Sequence, residues 1–129
     1  MSAGASASAS GGVLELSVPA DPALALTARM FAGALAGHLG DDVSADDLKL
    51  AFSELLAAGV DAGSNSVAYR VDLGRAEIVV RGASIDATDG PGVEEHERFA
   101  RAHRADLLNA LFPHLRSEGD VIRLSIGHE

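Results

Sequence analysis

Residues 44–62, SADDLKLAFSELLAAGVDA, read as one capped amphipathic helix, and the rest of the chain is placed around it. Ser44 stands at the N-cap, with Asp47 three residues on in the capping-box position. The hydroxyl and the carboxylate there satisfy the first N–H groups, which have no partner inside the helix. Leu48, Phe52, Leu55 and Gly59 follow at steps of four, three and four, with Ala51 and Ala58 beside them. That is one apolar stripe at helical period. Glu54 falls off the stripe, where a charged residue is ordinarily solvated.

Working outward, Val13 to Val18 alternates, with Leu14, Leu16 and Val18 on one face and Glu15 and Ser17 on the other, the pattern of a strand with one wet side. Asp21-Pro22 marks a helix start, with Asp as cap and Pro where a missing N–H costs nothing. This first helix runs to about His38 and stops at Gly40, its stripe formed by Leu24, Ala28 or Thr27, Phe31, Leu35 and His38 or Leu39. Gly33, Gly37 and the alanines keep it thin enough for close packing. Beyond the central helix, Val67, Tyr69 and Val71 alternate with polar partners. Leu73-Gly74-Arg75 turns the chain, and Ala76 to Arg81 returns with Ile78 and Val80 inward, making a hairpin. A third helix is expected over the second half of residues 93–112, ended by Pro113, and a last strand over Val121 to Ile126.

Every strand in this order has one apolar and one polar face. The expected fold is therefore an α/β (α+β) two-layer sandwich, a mixed and largely antiparallel sheet with three helices on one face. At 129 residues the chain is one domain long. Its aliphatic core is expected to hold Phe31, Phe52, Phe99 and Phe112 as the few large pieces. Residues 13–129 are expected to form that single domain. The opening MSAGASASASGG, residues 1–12, offers almost nothing to bury and is expected as a disordered small-residue tail. It has neither the basic nor the apolar region of a secretory signal, and no apolar run approaches the roughly 20 residues of a membrane span. The expected location is the cytoplasm.

With no cysteine, there is no disulfide framework or zinc-thiolate site. A formal net charge of −9 disfavours nucleic acid and points to a protein partner with a basic surface. His96 and His103 are seven apart and could share a helix face, but no third ligand accompanies them at a useful spacing, so no metal site is expected.

DLKLAFSE resembles the second helix of the anti-sigma regulatory factors, serine kinases with a histidine-kinase-like ATPase (GHKL, HATPase_c) fold. VPADPALALTAR resembles their opening strand and helix. The resemblance covers roughly residues 13 to 126 in element order and is specific at those two segments. It implies that Glu54 stands at the catalytic base, that Ala58 replaces the asparagine holding magnesium, and that Arg29 matches an arginine on the surface that grips a sigma factor. The adenine-reading box D-x-G-x-G would fall in GASIDATDGPG, residues 82–92. There the aspartate position is Gly82 in one register. In the other it is Thr88, followed by Gly90 and Gly92 as the box glycines. The glycine-rich entry to the third helix is missing, since His103 to Leu107 contains no glycine.

The expectation that follows is a degenerate member, a pseudokinase. It would act as an anti-sigma-like regulator by protein–protein binding in bacterial transcription control, with Glu54 a vestige and no cofactor required. Its partner would be a sigma factor or an anti-anti-sigma antagonist, with the homodimer common in the family as a further association. The alternatives are an active anti-sigma serine kinase using ATP and Mg, and a small-ligand or sensory module on the same scaffold.

Overall fold

The computed structural model describes residues 6–39, 44–85 and 95–125. Its strands are β1 (Ser6–Ser10), β2 (Val13–Pro19), β3 (Ser66–Asp72), β4 (Glu77–Arg81), β5 (Arg116–Glu118) and β6 (Val121–Ser125); its helices are α1 (Ala25–Leu39), α2 (Ala45–Asp61) and α3 (Glu95–Leu111). The strands form a single sheet in the order β1-β2-β3-β4-β6-β5. All five pairings are antiparallel, so the parallel component of the expected mixed sheet is not found. The fold is α+β, a six-stranded antiparallel sheet with three helices packed on it.

The core lies between that sheet and the helices. Leu16, Val18, Val67, Tyr69, Val71, Ile78, Val80, Ile122 and Leu124 face it from the strands, at the alternate positions that the pleat dictates. From α2 come Leu48, Ala51, Phe52, Leu55, Leu56, Ala58 and Gly59, the stripe read from the sequence. Ser44 caps that helix through its hydroxyl, which accepts from the Asp47 N–H at 3.3 Å. α1 presents Ala28, Ala32, Leu35 and Ala36, with Phe31 and Leu39 partly buried against the same core. A single 3₁₀ turn, Pro22–Leu24, leads into α1, capped by the Asp21 carboxylate. At Gly33 the end of the Lys49 side chain lies over α1, where an added Cβ would come within 2.9 Å of its Cε.

Tyr69, rather than a fourth phenylalanine, is the largest fully buried side chain. Its ring stacks on Phe52 at 4.4 Å between centroids, and Phe31 stacks on Phe52 at 6.1 Å. The Tyr69 hydroxyl donates to the Phe52 carbonyl at 2.7 Å, so the phenol is both packed and satisfied. Phe99, expected in the core, is 75% exposed and stacks instead on His103. Among the described side chains of α3 and the residue after it, Leu108, Leu111 and Phe112 at the far end meet the core.

Burial pushes the Tyr69 phenol well above its ordinary value of 10.0, because desolvation penalises the phenolate. A folded-state value above the unfolded one means that the contribution is fully present below about pH 10 and is lost as pH rises beyond it. Alkaline unfolding is therefore expected to steepen above about pH 10. Tyr69→Phe, which removes the only tyrosine, should flatten that part of the stability–pH curve, and an unchanged slope would contradict the assignment.

Three elements depart from the sequence reading. α3, expected only over the second half of residues 93–112, begins at Glu95. Residues 6–10, expected within the tail, form strand β1, joined to β2 by Gly11 and Gly12 at φ 58° and 81°. Two residues at positive φ make a primed turn whose twist matches the strands it joins, so backbone pairing holds a segment with almost no side chain to bury. The last strand of the chain, β6, lies inside the edge of the sheet, because the three residues of β5, not read from the sequence, pair along its outer side. In the β3–β4 turn it is Ala76, at φ 53°, and not Gly74 that takes the left-handed conformation.

Candidate functional site

The polar side of α2 carries the residues that the resemblance marks. Glu54 is half-buried, and its Oε1 accepts from the Arg104 Nε of α3 at 3.3 Å. The Nη1 of the same guanidinium lies 3.0 Å from Asp61 Oδ2. Arg104 is thus forked between two carboxylates seven residues, or two turns, apart on one helix face. Its side chain is only 13% exposed, so it fills the space between α2 and α3. Glu54 is not the solvated charge that its position off the stripe suggests.

Ala58, one turn after Glu54, is 1% exposed and belongs to the core cluster. A methyl group supplies no oxygen to a hard cation, and at this depth it has no solvent to share with one. Asp61, two turns after Glu54, is paired with Arg104. Among the described residues no group of three or more His, Cys, Asp or Glu is arranged to hold a metal ion. His103 is exposed against Phe99, and the His96 side chain lies outside the described residues.

Gly82 occupies the place of the adenine-reading aspartate in one register, and the backbone explains why it is glycine. Its φ is 90°, and an added Cβ would lie 2.3 Å from the Ser66 carbonyl oxygen. Its N–H donates to the Asp120 carbonyl at 2.9 Å, and its own carbonyl accepts from the Ser64 hydroxyl at 2.6 Å. Gly59 closes the junction from the helical side, since a Cβ there would meet Val67 Cγ2 at 2.3 Å and the Gly82 carbonyl at 3.1 Å. The end of α2, the start of β3 and the end of β4 therefore touch backbone to backbone. The alternative register, with Thr88, Gly90 and Gly92, lies outside the described residues.

Arg29 is exposed on the outer side of the α1–α2 pair. Near it in sequence, Leu26 is 64% and Met30 66% exposed, and Leu50 of α2 is also exposed. A depression of about 210 Å³ lies between the start of α1 and α2, lined mostly by apolar residues including Pro22, Ala25, Leu56, Ala57 and Val60. Ala25 is one turn before Arg29 on the same helix face. A second depression, of about 340 Å³, lies on the helix-free face of the sheet among Ser17, Ala68, Val79 and Arg81. Neither is lined by Glu54 or Ala58.

Compared with protein-family models and with curated proteins, the chain matches none. What the arrangement can do is therefore argued from its own geometry. The α2–α3 face is an ion-paired clasp, and the α1–α2 face is an exposed apolar surface bearing a cation. Sequence reasoning missed Arg104, whose partner Glu54 is fifty residues away. The glycine-free segment His103 to Leu107, where the resemblance calls for a glycine-rich one, was the available signal.

Proposed function

We propose that this chain is an anti-sigma-like regulatory protein, acting by protein–protein binding in bacterial transcription control on a GHKL-like scaffold without kinase chemistry. The observation that carries the reading is the Arg104 fork. The guanidinium pairs with Glu54, where the resemblance would require a free base, and with Asp61 two turns further along α2, while the magnesium position is the buried methyl of Ala58. From β2 onward the order strand, helix, helix, strand, strand, helix, strand, strand matches the expected order with the short β5 added, and it supports the scaffold.

The face left for function is the α1–α2 surface. α1 carries Arg29 and His38 and no carboxylate, in a chain whose formal net charge is −9. Apolar side chains around a cation suit a protein partner, a sigma factor or an antagonist from the same pathway, that brings apolar anchors and an acidic group. A small-ligand module is the competing reading, favoured by the depression on the open sheet face with Arg81 at its rim.

Calorimetric titration with ATP and Mg tests the proposal, and no binding heat is expected. Micromolar binding that disappears in Glu54→Ala would restore the kinase reading. Ala58→Asn should not create activity, since it buries an amide beside the core without freeing Glu54 from Arg104.

A further inference from the structure

The β1 edge of the sheet reads the same in both directions. Its sequence is Ser-Ala-Ser-Ala-Ser, and every residue of it is exposed. Pairing within the hairpin sets which backbone groups remain available. The Gly11-Gly12 turn joins Ser10 to Val13, and Gly12 turns its carbonyl the other way, to the N–H of Leu73, just past β3, at 2.9 Å. Alternation then directs the N–H and C=O groups of Ser6, Ser8 and Ser10 towards β2, and those of Ala7 and Ala9 towards the free edge.

The edge has none of the usual defences. β1 contains no charge, no proline and no bulge, whereas β5 at the opposite edge is short and carries Arg116 and Glu118. For two chains of like net charge, an uncharged strand is where approach is least opposed.

From this edge we infer that the protein associates with a second copy of itself by antiparallel β1–β1 pairing about a two-fold axis at Ser8, making one continuous sheet. In that register Ala7 of one copy exchanges N–H and C=O with Ala9 of the other, and the symmetry repeats the exchange. Serine faces serine and alanine faces alanine along the whole strand. The interface is isologous, and the sequence is self-complementary because the strand is a palindrome. Five small residues bury far less than the ~1,200 Å² of a standard interface, so the dimer is weak and tightens as salt screens the net charge. This inference is independent of the regulatory reading.

The absence of cysteine gives a clean test. At the axis the two Ser8 Cα atoms sit about 4.5 Å apart as a non-hydrogen-bonded pair, within disulfide reach. Ser8→Cys should therefore form a covalent dimer on mild oxidation. Ser10→Cys should do so at least about tenfold more slowly, because four residues of offset separate the two copies by roughly 13 Å. Ala9→Pro removes an outward N–H and spares the β1–β2 ladder, so it should abolish both the Ser8→Cys cross-link and self-association in sedimentation. Its circular dichroism should stay native. Equal cross-linking rates at the two positions, or indifference to Ala9→Pro, would overturn the inference. So would a monomer at every concentration and salt, which would leave the edge to a strand from another protein.

Discussion

Gly82→Asp, which would write back the carboxylate expected to read adenine, is expected to destabilise the domain severely and not to create a nucleotide site. At φ 90° a side chain pays the left-handed penalty of about 1–2 kcal/mol. The larger cost is contact with the Ser66 carbonyl, because a Cβ only 2.3 Å from a backbone oxygen forces β3 and β4 apart. That movement also strains the Gly82–Asp120 bond and pushes the Gly82 carbonyl towards α2 at Gly59. Together these amount to about 4 kcal/mol or more, a large share of the 5–15 kcal/mol of a typical domain. In urea the midpoint should fall by about 2 M. Gly63→Asp is the control, since Gly63 also has positive φ, 75°, but a Cβ there meets nothing within 4 Å. It should lose only about 1 kcal/mol. A Gly82→Asp protein with the wild-type midpoint would show that the junction yields, and would reopen the nucleotide reading.

Gly82 also illustrates how far the residues alone carried the argument. Read as sequence, it is the lack of an aspartate; read in the fold, it is the residue that lets three elements meet. The amphipathic periods of 44–62, 67–71 and 76–81 were legible because burial on one face leaves its period in the chain. β1 was not, since its Ser and Ala side chains bury nothing and only the Gly11-Gly12 pair marks the turn. Phe99 misled for a related reason. A large apolar residue at helical spacing was assigned to the core, but α3 meets the core at its far end and the ring is left exposed. At the candidate site the gap was one of distance along the chain. Glu54 and Asp61 share a helix face by simple periodicity, but the cation between them arrives from α3 and only tertiary structure supplies it.

Arg29→Ala is expected to abolish or severely weaken capture of the protein partner while leaving the domain folded. Arg29 is exposed, no ion pair to it is formed among the described residues, and truncating such a helix residue changes stability by no more than about 0.5 kcal/mol. At an interface the same guanidinium would be desolvated between Leu26 and Met30 and would pair with a carboxylate through two parallel hydrogen bonds. Removing it strands that carboxylate, at a cost of roughly 2–5 kcal/mol. Affinity should then fall by more than about tenfold, mostly through faster dissociation. The measurement is capture from the native host by the wild-type chain and by Arg29→Ala, with a sigma factor or its antagonist as the expected recovered protein. Association should be faster at low salt, since long-range steering is screened by ions. Leu26→Ala provides the internal check. If the patch acts as one surface, it too should weaken capture, whereas Arg81→Ala on the opposite face of the sheet should not. Capture indifferent to Arg29→Ala and Leu26→Ala but lost in Arg81→Ala would move function to the open sheet face and its depression.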